Sequence, residues 1–445
     1  MKALFPLKLY KVAIADDGDA ERVAKEKPPS RPYGLSLRSN FSWNLVGNVV
    51  YAVCQWGILV VIAKLTNPEM VGRFALALAL TAPVVMFTNL QLRSVQATDS
   101  RNEYTFADYL GLRLLCSLGA MFAIVCITLL GNYAQDAVIV IIIIGLSKVV
   151  ESISDIFHGL LQRYEHMDKT AIAKCIKGGL SLCVLAIGLH FGGLVLGALG
   201  LLVGWLIVLL TYETKVGTSV LKQYEGAGAQ TICLKMDIRK IRKLSWLTLP
   251  LGFSSLILSL NENVPRLFIA NELGETELGI YAAMAYIEVA GTTVVRALTF
   301  AAAPRLASIY TAMDHAAYAK LLIKLTTFGG LLGLLGLSIA FFFGQKILSH
   351  IYSPEYAKYA EIFTWLMGAS MMHYIAMFVE SGLVVVRRLR GVMFLAVLVL
   401  IITSVACFFL VPQYKLLGAA WAVGIGASIH AISTIILMIY SIKRN

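Results

Sequence analysis

Four ionisable residues recur along one apolar stretch of the sequence: Lys148, Glu151, Asp155 and His158. Their spacing of i, i+3, i+7 and i+10 places them on one stripe of a helix. An ammonium on such a stripe attracts an anion, and carboxylates beside it can pair with the cation or exchange protons. A second stretch holds Glu288 and Arg296, within about 80° of each other around a helix, with the small polar run Gly291, Thr292 and Thr293 between them. A third holds Asn261, Glu262, Asn263, Pro265 and Arg266. Glu262 and Arg266 stand at i, i+4, where a local ion pair is expected, and Pro265 is expected to kink the helix. Arg113 is expected to snorkel to a nearby surface. Pro83, Asn89, Glu380 and His430 are single polar points, read as packing or helix-to-helix hydrogen bonding. Arg93 and Arg305 close two of the stretches and could meet an anion there.

All of these residues sit in, or at the ends of, runs that must cross a bilayer. A helix needs about 20 apolar residues to span a hydrocarbon core of roughly 30 Å. Twelve such runs are read at 42–63, 74–92, 109–130, 136–160, 171–190, 194–212, 245–268, 280–303, 322–343, 362–386, 391–411 and 416–441. Of the 445 residues, 58% are hydrophobic and only 14% are charged, with a mean hydropathy of +0.76. Charged residues in a soluble domain are usually about 25%. The expected fold is an all-α polytopic membrane protein without a sizeable soluble domain. Charges placed inside it cost about 2.5–3.5 kcal/mol each on insertion scales, so they are expected to face the protein interior or a wet cavity. Lys148 and Glu151 lie too deep to reach a surface, whereas Asp155 and His158 are expected to reach water at the cytoplasmic end.

Most of the 38 Lys and Arg flank the spans on the side that holds the N-terminus. That bias puts both termini in the cytoplasm. The net charge of +12 is therefore a topology signal, and nucleic acid is not an expected partner. Residues 1–38 read as a flexible cytoplasmic tail broken by Pro28, Pro29 and Pro32, with a short surface-lying helix near Leu4–Ile14. Residues 213–244 read as a cytoplasmic linker, and 442–445 as the cytoplasmic C-terminus. The 7 cysteines show no CxxC or His/Cys cluster and read as packing residues. No Gly-rich phosphate loop, H-E-x-x-H or P-loop lysine is present. An enzyme, a cofactor and a bound metal are not expected.

The chain repeats itself. Ser42-Trp43 opens the first span and Gly72-Arg73-Phe74-Ala75 follows it; Ser245-Trp246 opens the seventh and Gly279-Ile280-Tyr281-Ala282 follows that one. Six spans plus six in the same orientation suggest two bundles, 39–212 and 245–441, related by a pseudo-two-fold axis along the membrane normal. Two such halves naturally enclose a cavity that rocking exposes to each side in turn.

Four stretches carry a family resemblance: Ser39–Asn48 with Thr66–Ala75, Asn89–Ser94, Ala303–Tyr310 and Ile351–Tyr356. In their order and spacing the chain resembles the Wzx-type oligosaccharide repeat-unit flippases, in the polysaccharide transporter branch of the MOP superfamily. The resemblance implies a V-shaped, MOP-like fold of 12 transmembrane helices in a bacterial cytoplasmic membrane. It implies movement of a polyprenyl-diphosphate-linked oligosaccharide from the inner to the outer leaflet, for O-antigen, capsule or exopolysaccharide assembly, with membrane lipids and polysaccharide polymerase machinery as partners. Under that reading Lys148, Arg296, Arg113 and Arg266 attract the diphosphate. Glu151, Asp155, Glu288 and Glu262 pair with them when cargo is absent and couple the cycle to H+ or Na+. The alternative is a proton- or sodium-coupled multidrug or cation antiporter of the same superfamily, and charge balance among these residues does not separate the two.

Overall fold

The computed structural model describes residues 35–99, 101–225 and 237–443. The tail up to residue 34, the middle of the linker with Cys233, and residues 444–445 lie outside the described residues. The elements are α1 (Leu37–Leu65), α2 (Pro68–Thr88), α3 (Leu92–Thr98), α4 (Phe106–Leu130), α5 (Gln135–Arg163), α6 (Met167–Val208), α7 (Thr214–Glu225), α8 (Ile238–Glu272), α9 (Glu275–Thr311), α10 (His315–Ile351), α11 (Pro354–Ala357), α12 (Ala360–Val385) and α13 (Leu389–Lys443). Among the described residues, 10 helices are long and apolar enough to cross a membrane.

Polar residues in the loops fix where these helices begin. Asn67 Oδ1 accepts from the Met70 amide at 3.0 Å, and Pro68 takes the first helical position, where its missing N–H costs nothing. Thr105 and Asp108 form a reciprocal capping box at the start of α4. Asp314 Oδ1 caps α10 through the Ala317 amide at 2.8 Å. Continuous apolar sequence then carries each helix onward. α8 stays helical through both Pro250 and Pro265.

Two helices are too long for one crossing, at 42 residues for α6 and 55 for α13. Both fold back. α6 breaks at Gly192 and Gly193, the latter at φ +66°, a left-handed conformation that a residue without Cβ adopts freely. Its arms run side by side: Trp205 Nε1 donates to Ser181 Oγ at 2.6 Å. α13 breaks at Lys415, with φ 53°. Gly418 then lies against Leu410, Gly426 against Thr403 and Gly391 against Leu437. The tight hairpin expected at Phe191-Gly192-Gly193 is present.

Contacts sort the helices into two groups. α1, α2, α4, α5 and α6 pack among themselves, as do α8, α9, α10, α12 and α13. The groups meet mainly through α2, which lies against α8 and α9. At one end of this seam the two Gly-x-aromatic-Ala elements face each other. A Cβ on Gly72 would overlap the Glu275 carbonyl, and a Cβ on Gly279 would overlap the Pro68 carbonyl, so the backbones touch. Arg73 ties the contact: its guanidinium reaches Glu275 at 2.6 Å, Glu69 at 2.5 Å and Asp136 at 3.4 Å. Nearby, the Tyr352 hydroxyl donates to the Ala283 carbonyl at 2.7 Å and accepts from Trp56 Nε1 at 3.4 Å. By the Lys/Arg bias this is the outer end. At the inner end, Gln91 Nε2 donates to Ser255 Oγ at 2.9 Å, and the Phe87 and Phe253 rings stand 5.1 Å apart.

The glycine contact leaves no room for a methyl group. Gly279→Ala, and separately Gly72→Ala, should destabilise the outer-closed seam by about 1–3 kcal/mol, the usual cost of overpacking. Melting curves of the detergent-solubilised protein should move down for both variants. An unchanged curve for either would mean that these helices do not meet there.

Candidate functional site

Span-embedded charge concentrates on α5 and what packs around it. Lys148 Nζ lies 2.8 Å from Glu151 Oε2, one turn along the helix. The Tyr51 hydroxyl of α1 donates to Glu151 Oε1 at 2.7 Å, and the ammonium stands 5.2 Å from the Trp205 ring centroid. The pair is not sealed in: Lys148 is 25% exposed and Glu151 33%.

One turn toward the inner end, Asp155 bridges two arginines. Arg93 Nη1 reaches Oδ1 at 3.2 Å and Arg113 Nη2 reaches Oδ2 at 3.7 Å. Arg93 also donates to Gln162 Oε1 at 3.2 Å, and Arg113 donates to Asn89 Oδ1. Arg113 does not snorkel. It is 1% exposed, because Asn89 and Asp155 supply partners inside the bundle that water would otherwise provide. Lys174 completes this level, donating to Asn48 Oδ1 at 2.6 Å.

His158 also departs from expectation, for it is buried and does not reach water. The end of α6 passes over it and delivers Glu213, at 0% side-chain exposure. Glu213 Oε1 lies 3.1 Å from His158 Nε2 and 3.0 Å from Lys177 Nζ, and Lys177 also donates to Ser154 Oγ at 2.7 Å. Glu213 closes a π-helical turn, Leu209–Glu213, between α6 and α7; the wider turn is a common feature of functional segments. The expected single stripe on α5 thus divides. Lys148, Glu151 and Asp155 stay partly open, and His158 turns into a buried ion network.

The second group of helices is arranged differently. Among the described residues, Glu262 and Arg266 form no ion pair. Arg266 donates to Asn263 Oδ1 at 3.1 Å and lies 5.5 Å over the Tyr286 ring, while Glu262 is exposed. The nearby amide and aromatic face hold the guanidinium in place of the carboxylate one turn away. Glu288 is half-buried on α9 beside Ser370. The Tyr374 hydroxyl donates to the Glu288 backbone carbonyl at 3.1 Å. Arg296 is exposed, close to His373 on α12.

Sequence reasoning missed Tyr51, Lys174, Lys177 and Glu213. The lysines were legible, since both fall within the apolar run 171–190 at i, i+3 and were taken for its cytoplasmic flank. Glu213 was placed in the linker, because nothing local marks a carboxylate at a span end as buried. Counting them, the first group gathers Arg93, Arg113, Lys148, Lys174 and Lys177 against Glu151, Asp155 and Glu213, an excess of cations. The second group gathers Arg266 and Arg296 against Glu262, Glu288 and Glu380.

Long apolar helices in two groups, joined at a seam and holding their deep charges mostly in pairs, define an all-α multi-pass membrane protein. Comparison with known proteins agrees. By the match of residues 37–310 to its model, the chain belongs to the family described as polysaccharide biosynthesis protein. It is 28% identical over 397 residues to the capsular polysaccharide biosynthesis protein CapF of Staphylococcus aureus, covering 88% of this chain and 97% of that protein. Its fold is similar to the lipid II flippase MurJ in an inward closed conformation, with a TM-score of 0.71 at 11% identity over 91% of this chain and 89% of that one. It is also similar to a multidrug resistance MATE family transporter in an inward-facing conformation, with a TM-score of 0.65 at 13% identity over 92% and 96%. The two solved structures share the fold, and the family links the chain to polysaccharide biosynthesis.

Removing one partner of a buried pair leaves a stranded charge, at about 3–5 kcal/mol. Glu213→Ala should therefore sharply reduce the yield of folded protein. Glu213→Ala combined with Lys177→Met should recover much of it, as size-exclusion profiles would report. Equal losses in the single and double variants would show that the Lys177 pair does not carry the effect.

Proposed function

We propose that this protein is a flippase. It moves a polyprenyl-diphosphate-linked oligosaccharide from the inner to the outer leaflet of the bacterial cytoplasmic membrane by alternating access, for O-antigen, capsule or exopolysaccharide assembly. The observation that carries the reading is the excess of positive charge at bilayer depth in the first group of helices. A diphosphate is the part of such a cargo that hydrocarbon rejects most strongly, and a preformed cationic wall offsets its desolvation. The glycan hydroxyls would follow through the polar cleft while the polyprenyl tail stays in lipid.

On this reading α6 and α13 each cross the membrane twice, giving twelve spans in two six-helix bundles related by a pseudo-two-fold axis and forming a V. The closed outer seam at Gly72, Gly279, Arg73 and Glu275 corresponds to a state that admits cargo from the cytoplasmic side. Lys148, exposed Arg296 and the partly open Arg93 meet the diphosphate. Arg113 and Arg266, held by Asn89 and Asn263, position their neighbours. Glu151 and Asp155 hold the cations while cargo is absent, and Glu288 and Glu262 offer further sites for ion coupling. The antiporter reading needs a lumen suited to cationic drugs, and the cation excess around α5 opposes it.

Lys148→Gln and Arg296→Gln should each abolish surface glycan while lipid-linked intermediate accumulates and the amount of inserted protein stays normal. Wild-type glycan from both variants would remove these residues from the mechanism. A deletion strain with intact glycan and raised drug sensitivity would favour the antiporter.

A further inference from the structure

Glu380, His373 and His430 are isolated points in the sequence, and the fold assembles them. His430, on the second arm of α13, places Nε2 3.5 Å from Glu380 Oε2 on α12. The His373 ring, two turns earlier on α12, stands 6.4 Å from the His430 ring. The carboxylate is 29% exposed and the His430 side chain 16%, so neither is sealed within the helix packing. No helix end lies close to His430: residues 416–429 precede it in its arm and 431–443 follow. Charged or titratable groups at that depth are costly and usually mark a conduction or coupling path.

We propose that Glu380, His430 and His373 form a proton-binding site that couples cargo movement to proton flow. The coupling half rests on the transport reading above, and the proton-binding half does not. The donor set selects the ion. Sodium, a hard cation, is best held by several oxygens, whereas an imidazole facing a carboxylate exchanges a proton in the physiological range. Uptake of one proton from water converts a carboxylate beside a neutral imidazole into a carboxylate paired with an imidazolium, the proton held across the 3.5 Å gap; its release to water reverses the step. His373 is near enough to feel that change and to pass a proton on through one water.

The groups around the site fit this role. From α9, Arg296 faces His373 as a fixed positive charge, with Glu288 two turns away along the same helix. From α10, the Tyr318 hydroxyl donates to the Gly382 carbonyl just beyond Glu380 at 2.9 Å, and Lys320 and Lys324 are exposed. From α8, Asn261 Nδ2 donates to the Ala396 carbonyl on the first arm of α13 at 3.0 Å, while Glu262 and Arg266 lie toward Glu288. Proton uptake therefore adds a positive charge on α12 and α13, and α12 packs against α9, the helix that carries Arg296, the residue assigned above to the diphosphate. Proton release removes it, and with it part of the hold on the anion.

The test uses the purified full chain in detergent, brought from pH 8 to pH 5 while proton uptake is counted by back-titration. Glu380→Gln keeps the side-chain volume and removes no histidine. It should nevertheless take up about one proton fewer than wild type, because the shared proton is lost. His430→Gln should lose the same proton. In cells, both variants should insert normally and lose glycan export. The double variant Glu380→Gln/His430→Gln should lose that same single proton; unchanged uptake in Glu380→Gln, or a loss of two protons in the double variant, overturns the shared site. Reduced uptake with wild-type export overturns the coupling. If deleting the gene leaves surface glycan intact, the flippase reading fails while the proton count still stands.

Discussion

An ionised side chain inside hydrocarbon must be paired or kept wet, and the arrangement of this protein follows from that constraint. The charges around α5 obey it in one of two ways. Glu213, Lys177 and Arg113 are sealed in and closely partnered. Lys148, Glu151, Asp155 and Arg93 are partnered yet partly open. The first set is structural cement between helices, and its disruption would strand a charge. The second set is only partly covered by its neighbours, at 23–33% side-chain exposure. Position along α5 decides which set a residue joins: where α6 ends and α7 begins, the open stripe closes over His158.

The seam between the two groups of helices rests on the opposite principle, close approach of bare backbone. Gly72 and Gly279 let α2 and α9 touch without side chains between them. Both Glu69 and Glu275 sit in first turns, where the helix dipole favours negative charge, and Arg73 bridges them. Of its three carboxylate partners, Glu69 and Asp136 belong to the same group of helices as Arg73, and only Glu275 belongs to the other. Separation of the seam would leave the guanidinium partnered. A contact with a small penalty for opening suits a molecule that must alternate between two shapes.

The two groups differ in chemistry despite their shared plan. The first is rich in lysine and arginine around α5, and the second carries paired histidines, carboxylates and one exposed arginine. The two groups meet mainly along α2, which lies against α8 and α9.

The sequence by itself determined the membrane class and the hairpin at Gly192-Gly193. These are local properties: hydropathy summed over one span, and a residue tolerant of positive φ. Only the tertiary structure decided which charges pair. Tyr51 meets Glu151, Arg73 meets Glu275, Glu213 meets His158 and Lys177, and His430 meets Glu380. Partners so distant along the chain leave no periodic trace, because their meeting depends on how whole helices pack. For the same reason the expected Glu262–Arg266 pair failed, where Asn263 and Tyr286 offered the guanidinium a closer home.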